Sequence, residues 1–357
     1  MTTRSKTSKG SSKNPSSKSL PSSRKISERP NKDTLSPFVR RFLKRVQNTA
    51  AKFDLWQKND SFVIGVSGGP DSLCLLDVMV LLQKKMHFSL HVAHMNYHLR
   101  GKDSDRDESL VRKTALQFSL PSTVVSSTKK SGNPSEEMLR DLRYAFFETT
   151  RIAQHADAIL IAHNQNDQAE TLLMRLLRGS GLLGLSSMKA KNGSIVRPLI
   201  EISREDILRY LKERRISFRE DKSNADLRYF RNQIRHTLLP FLEKNFQPKI
   251  KQILAETALL LGEDYAVLEN IPTAFRVKET ATSREFSRKD ILLLPQALIT
   301  RELRGLIRPL LAGKSPDKKL LEELLKALRS EKNKTQTITF KGLKFIRKGD
   351  TVRLLNF

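Results

Sequence analysis

The sequence predicts an α/β protein: a doubly wound, parallel five-stranded sheet, then a smaller, mostly helical domain ending in short strands. Three observations carry this. Short apolar runs alternate with helical stretches through residues 60–200, the spacing of right-handed parallel crossovers. The first run closes on Ser67-Gly68-Gly69-Pro70-Asp71-Ser72, a tight turn between a strand and a helix. Beyond Ile338 the apolar period changes from helical to alternating, as strands require.

Residues 1–36 hold nine Lys/Arg, two acids and many Ser/Thr, with no acid before Glu28. Such a segment cannot bury enough apolar area to fold alone. It reads as a disordered basic tail with diffuse affinity for RNA. The alternative is an organellar transit peptide, but no clear amphipathic Arg face is present. Pro37 to Lys58 reads as a helix, with Phe38, Phe42, Val46 and Phe53 near helical spacing.

The first strand ends at Val66 and the loop follows. Gly68 and Gly69 can take positive φ and let a ligand approach the backbone. Free N–H groups at the helix start then face an anion. No Gly-Lys-Ser/Thr follows, and the three-glycine dinucleotide spacing is absent. Asp71 in a phosphate loop is repulsive without a cation, so Mg²⁺ is its natural companion. An ordinary strand-to-helix turn with a solvated Asp71 is the bland alternative.

Phe88–Ala93 is a second strand, ending in His94-Met95-Asn96-Tyr97-His98-Leu99-Arg100-Gly101. Strand ends of α/β sheets carry ligand sites. Ser104–Phe118 reads as a helix and Ser122–Ser126 as a third strand. Pro134 opens a helix through Arg140, Arg143 and Tyr144 to about Gln154, with Glu136 and Glu137 suiting its N-terminal dipole. Ala158–Ala162 is a fourth strand. Asp167 opens the next helix, whose last turn holds Arg175 and Arg178. Ile195–Leu199 is the fifth strand.

Arg204–Arg214 is an amphipathic helix and Glu220–Asn224 a polar turn. Tyr229 begins a helix ending near Pro240. Pro248–Leu268, Ile291–Leu311 and Lys318–Leu328 are helical, the second region broken at Pro295 and Pro309. The chain therefore divides into a tail (1–36), an α/β domain that carries the loop (37–240) and a helical C-terminal domain (241–357) ending in a β-hairpin. No repeats occur.

Composition narrows the function. The 65 Lys/Arg against 38 Asp/Glu give +27 over 357 residues. The part after residue 36 still carries +20, which points to a polyanionic partner, most simply nucleic acid. The single cysteine, Cys74, lies on an apolar helix. It excludes an internal disulfide and fits a reducing compartment. No apolar run reaches the ~20 residues that span a bilayer.

The loop matches the Ser-Gly-Gly-x-Asp-Ser motif of the PP-loop ATP pyrophosphatases. Four later segments narrow the resemblance. They are His-x-Asn-x-His-Leu-Arg-Gly (94–101), Glu-Met-x-Arg-x-x-Arg-Tyr (137–144), Asn-Asp-Gln-Ala-Glu-Thr with Arg-Gly-Ser-Gly (166–181), and Glu-Asp-x-Ser-Asn…Arg-Asn-x-Ile-Arg (220–235). In this order they resemble the tRNA(Ile)-lysidine synthetase family over about residues 60–240. The helical region beyond looks like that family's first C-terminal domain. Many members carry two aspartates where this chain has Asn166-Asp167, and Asp167 is taken as the functional equivalent.

The resemblance implies a cytoplasmic tRNA-modifying ligase, organellar if residues 1–36 are a transit peptide. ATP adenylates carbon 2's oxygen on the wobble cytidine of an isoleucine tRNA with a CAU anticodon. Free lysine then displaces AMP to form lysidine. The resemblance further implies that Ser67, Gly68, Gly69, Pro70 and Ser72 cradle pyrophosphate, and that Asp71 and Asp167 hold Mg²⁺. Arg140 and Arg143 meet ATP phosphate or the cytidine. His98 and His163 line the nucleotide pocket. Glu170, Arg178, Arg231, Asn232 and Arg235 meet lysine or tRNA, and a homodimer is allowed. The alternative for each is a structural role: a salt-bridge face, a core histidine, a helix cap or surface polarity. A tRNA thiolase would need more cysteines. An amide-forming ligase would need an ammonia source and no basic excess. A dead RNA-binding protein would have no use for Asp71, Asp167 and an intact loop.

Overall fold

The computed structural model describes residues 35–99, 101–126, 135–219, 226–311, 313, 316–332, 334–340 and 342–356. Most of the expected tail, Arg100, Pro134 and the polar turn at 220–224 lie outside these residues.

Helix α1 (Pro37–Lys52) is capped by the Ser36 hydroxyl and buries Val39, Phe42 and Val46. There follow β1 (Ser61–Gly65), α2 (Pro70–Met86), β2 (Ser89–Asn96), α3 (Lys102–Gln117), β3 (Ser122–Ser126), α4 (Glu136–Ala153), β4 (Ala158–Leu160), α5 (Gln165–Leu177), α6 (Leu182–Leu185), β5 (Lys191–Asn192), β6 (Ile195–Val196) and α7 (Arg204–Glu213). The sheet order is β3-β2-β1-β4-β6-β5.

Six strands stand where five were expected. The additional one, β5, pairs antiparallel with β6 at the edge. It turns through Gly193 at φ 57 and is too short to leave a period. Strand β6 also ends early, because Pro198 has no N–H to give a ladder.

The chain winds from β1 outward to β3, then returns to β4 on the other side of β1. The switch point therefore lies between β1 and β4, where such sheets bind ligands. The loop after β1 and the segment after β4 both open there. Beneath them, Val63, Ile64, Ile159 and Leu160 are essentially excluded from solvent. Helix α2 is apolar on most sides and lies in the main core, so Asp71 at its start is carried on a rigid element.

One buried polar cluster ties α2 to α7. The Tyr210 hydroxyl donates to Asp77 Oδ2 at 2.7 Å, and Arg214 Nε donates to the same oxygen at 2.8 Å. Arg214 Nη2 reaches Asp77 Oδ1 at 3.2 Å. Burial and the neighbouring Asp77 push the Tyr210 hydroxyl well up, so it stays a donor.

The helix expected to end near Pro240 continues to Asn245. Helices α8 (Phe230–Gln233) and α9 (Leu239–Asn245) are joined by a π-helical turn, Ile234–Leu238. Pro240 has no N–H for the α ladder, and the chain widens just before it, with Leu239 N donating to Ile234 O. Ala169 and Leu173 of α5 form a small core with Ile234 and Leu239. Helix α10 (Ile250–Asn270) also packs on α5 and α6.

A separate core follows, centred on Ile299, Leu303, Leu324, Phe345 and Leu354. It comprises β7 (Val277–Glu279), β8 (Ser283–Ser287), α11 (Arg288–Leu292), α12 (Gln296–Leu310), α13 (Lys318–Arg329), β9 (Gln336–Phe340), β10 (Leu343–Lys348) and β11 (Thr351–Asn356). The expected hairpin is the β10–β11 pair. It belongs to a five-stranded antiparallel sheet, β7-β8-β11-β10-β9. Pro309 lies within the last turn of α12 and does not end it.

Candidate functional site

The loop after β1 is organised by its own hydroxyls. Gly68 takes φ 86. The Ser72 hydroxyl accepts from Ser67 N at 3.1 Å and donates to Gly69 O at 3.0 Å. The Ser67 hydroxyl lies 3.2 Å from that of Ser72. Pro70 is the first residue of α2, where its missing N–H costs nothing. His94 Nδ1 donates to Val66 O at 2.7 Å and ties the loop's root to β2. Arg219 holds the other side: its N–H donates to Gly68 O at 3.2 Å, and its guanidinium pairs with Asp103 and Asp107 of α3.

Asp71 and Asp167 meet through Asn164. The Asn164 amide donates to Asp71 Oδ1 at 3.0 Å, and its carbonyl accepts from Asp167 N at 3.1 Å. The Asn164 N–H donates to Asp167 Oδ2 at 3.0 Å, completing a capping box. Asn166 is turned away, its carbonyl accepting from Arg204 N at 3.1 Å. Asp167, and not Asn166, is therefore the residue linked to Asp71 through Asn164.

Every carboxylate here has an arginine. Asp71 Oδ2 accepts from Arg204. Asp167 Oδ1 accepts from Arg231 at 2.6 Å and Arg235 at 3.4 Å. Glu170, almost fully buried, accepts from Arg231 at 2.7 Å and from Arg235 at 2.5 and 2.9 Å. Burial raises the Asp71 carboxyl above its ordinary value; Arg204 opposes this and the charge of Asp167 adds to it. Burial would also raise Asp167, but Arg231 and its other partners hold it below the ordinary range.

More cations line the rim. Arg140 stacks on Tyr144 with its guanidinium 5.0 Å from the ring centroid. Arg197 Nε donates to His163 Nδ1 at 3.0 Å. Burial, with Arg197 and Arg140 adding, pushes His163 down to about 3. Its neutral ring therefore accepts at Nδ1 and carries its proton on Nε2. Arg175 and Arg197 are themselves lowered by burial and by the field of Arg140. A site with this excess of guanidinium suits a polyanion.

Other expected residues sit apart from this cluster. His98 lies 3.1 Å from Asp105 at the end of β2, and among the described residues no hydrogen bond links it to Asp71, Asp167 or His163. Arg143 is exposed and lends its field to Tyr97. Arg178 ends α5 with its guanidinium 5.5 Å from the Phe230 ring centroid. Asn232, expected to meet lysine or tRNA, is buried and its amide donates to Asp226 O at 2.9 Å, fixing the turn before α8.

Three contributors were missed: Asn164, Arg197 and Arg204. Asn164 and Asp167 have the spacing of an N-cap and its third residue. Arg204 is the first residue of α7, where a cation opposes the helix dipole unless it has another task. Arg197 interrupts an apolar strand run.

Two carboxylates at one place, with a third close by on Arg231 and Arg235, fit a Mg²⁺ that takes its remaining ligands from phosphate and water. Among the described residues, no group of three or more His, Cys, Asp or Glu forms a full metal cage. A cavity of about 280 Å³ lies elsewhere, lined by residues including Arg45, Gln165, Ser203, Asp206 and Glu256. It includes no loop residue.

The glycine loop at a switch point, facing paired carboxylates and a ring of arginines, defines a phosphate-loop protein of the α/β class. The family model described as PP-loop domain matches residues 36–242. The tRNA(Ile)-lysidine synthase of Caldanaerobacter subterraneus subsp. tengcongensis is 39% identical over 232 residues, covering 64% of this chain and 50% of that protein. That of Nostoc sp. is 32% identical over 319 residues, covering 83% of this chain and 91% of that protein. The chain belongs to the tRNA(Ile)-lysidine synthase family, within the PP-loop group. It spans about half the length of several curated relatives it matches. Among solved structures, the U34-tRNA thiolase NcsA of Methanococcus maripaludis, described with its 4Fe-4S cluster, shares the fold. Its TM-score is 0.53 at 18% identity, over 67% of this chain and 82% of that one.

Proposed function

We propose that this chain is an ATP-dependent ligase that forms lysidine at the wobble cytidine of an isoleucine tRNA with a CAU anticodon. The observation that carries this is the Asp71–Asn164–Asp167 link at the mouth of the glycine loop, in a chain of this family. The base's carbon 2 oxygen attacks the α-phosphorus of ATP. The bond to the β-phosphate breaks and pyrophosphate leaves. The lysine side-chain amine then attacks carbon 2 and loses a proton. The carbon–oxygen bond breaks, and AMP departs carrying the base's oxygen.

The residues divide accordingly. Backbone N–H groups at Gly68 and Gly69, with the Ser67 and Ser72 hydroxyls, hold the departing pyrophosphate. Arg140 and Arg197 balance the charge of the α-phosphate, and neutral His163 donates from Nε2. Asp71 and Asp167 would hold Mg²⁺, which supplies neutralisation of charge on the phosphate oxygens. Glu170 would receive the lysine ammonium once Arg231 and Arg235 turn toward phosphate. His98 and Arg143 are assigned to the rim.

The shared core of α5 with α8, α9 and α10 supports extending the catalytic domain to about Asn270. The module beyond supplies phosphate contacts that position the tRNA, consistent with the chain's +27 charge. Among the described residues no helix is long and apolar enough to cross a membrane.

AMP release tests the proposal. With ATP, Mg²⁺ and free lysine, AMP should form only when the CAU transcript is present. Replacing the wobble cytidine by uridine should abolish it. Equal AMP release with either transcript would refute the assignment of the cytidine.

A further inference from the structure

We propose that Phe230, with Tyr229 beside it, is a stacking platform for an unpaired nucleobase of the RNA substrate. The inference rests on the RNA-modifying reading above and names a contact that reading lacks. The two rings are 38% and 52% exposed, although Phe is ordinarily buried. They begin α8 and directly precede Arg231, which holds Asp167 and Glu170. The rings are thus anchored one residue from the carboxylate cluster.

The exposure is built into the local structure. Asn232 Nδ2 donates to Asp226 O and Gln233 Nε2 donates to Leu227 O, both at 2.9 Å. The Arg228 N–H donates to Asp226 Oδ1 at 3.0 Å. These bonds brace residues 226–233 and hold the rings outward. The Arg178 guanidinium stacks on Phe230, and Arg228 is 88% exposed nearby in sequence. An aromatic face with the Arg178 guanidinium beside it matches a base with its phosphate. Bases stack on such rings whatever their sequence, and arginine adds a cation–π contribution. A second protein copy fits the charge less well, although Leu176, Leu177 and Leu227 are also exposed.

The test uses the full chain and a CAU tRNA transcript carrying the fluorescent base pyrrolocytosine at the wobble position. Wild type should bind it and quench its fluorescence. Phe230→Leu removes the ring and keeps apolar bulk. It should weaken tRNA binding roughly ten- to hundredfold, lose the quench and leave ATP affinity unchanged. Phe230→Trp should restore both. Tyr229→Leu, at a more exposed position, should weaken binding in the same sense. Unchanged binding and quench in both leucine variants would overturn the platform and leave the ligase reading intact. So would a change in sedimentation that tracks the ring while tRNA bound per chain stays constant, since the ring would then be a subunit contact. A wild type that binds no tRNA would refute both readings.

Discussion

Replacing Asp77 with Ala should unfold this protein more readily than any surface change. The Asp77 side chain is 1% exposed and its partner Arg214 is 5% exposed. The substitution removes the acceptors for hydrogen bonds from Tyr210 at 2.7 Å and from Arg214 at 2.8 and 3.2 Å. It also leaves the guanidinium without its carboxylate in the core. Breaking a buried pair from one side costs about 3–5 kcal/mol. For a domain of 150–250 residues each kcal/mol moves Tm by about 2–4 °C, so the expected fall is about 6–20 °C. Urea and thermal unfolding measure it. Tyr210→Phe removes only a hydroxyl donor to a charged group and should cost about 1.5–3 kcal/mol. The double change Asp77→Ala with Arg214→Met should recover part of the loss, because no charge is then stranded. A loss below about 1 kcal/mol, or strict additivity of the two changes, would refute the reasoning. The consequence reaches the site, since α2 carries Asp71 and α7 carries its partner Arg204.

Asp71→Asn and Asp167→Asn should each abolish tRNA-dependent AMP formation while tRNA affinity stays within a few-fold; near-normal turnover in either variant removes the shared-metal assignment. Gly68→Ala puts a Cβ on a residue at φ 86, costing about 1–2 kcal/mol, and should raise the KM for ATP; an unchanged KM would show that the cradle does not need this backbone. His163 gives a pH signature. Its folded value is depressed to about 3 from an ordinary 6.5, so below pH 6.5 the unfolded chain takes a proton that the folded chain refuses. Stability should therefore fall with decreasing pH, by up to ~1.4 kcal/mol per unit for this group. His91 and His94, also depressed by burial, should retain part of this limb in His163→Asn. Urea unfolding at pH 7.5, 6 and 5 should show a shallower slope in that variant, and equal slopes would contradict the burial argument.

The first half of the fold was legible because its strands are short, apolar and separated by helical periods. The loop was legible because glycine, proline and a helix start leave a local signature. Edge strand β5 was not, since two residues cannot show a period. The C-terminal sheet was only partly legible: β7 has three residues and no buried alternation to betray it. The π turn before Pro240 was read as an end because proline usually breaks a helix; here the ladder widened instead.

In the site, Asp71 and Asp167 lay in readable motifs, but their partners came from far along the chain. Asp71 and Arg204 are 133 positions apart, and Arg231 reaches Asp167 across 64. Such pairings belong to tertiary packing, and no local period encodes them. Asn232 shows the converse. It stands in a recognisable motif, yet its amide fixes a turn.

The most direct test of the central claim is incorporation of radiolabelled lysine into an unmodified CAU isoleucine tRNA transcript, with ATP and Mg²⁺. The account predicts label in the tRNA that requires ATP, the wobble cytidine and Asp71. No label in the tRNA, with AMP still released in its presence, would contradict lysine as the nucleophile.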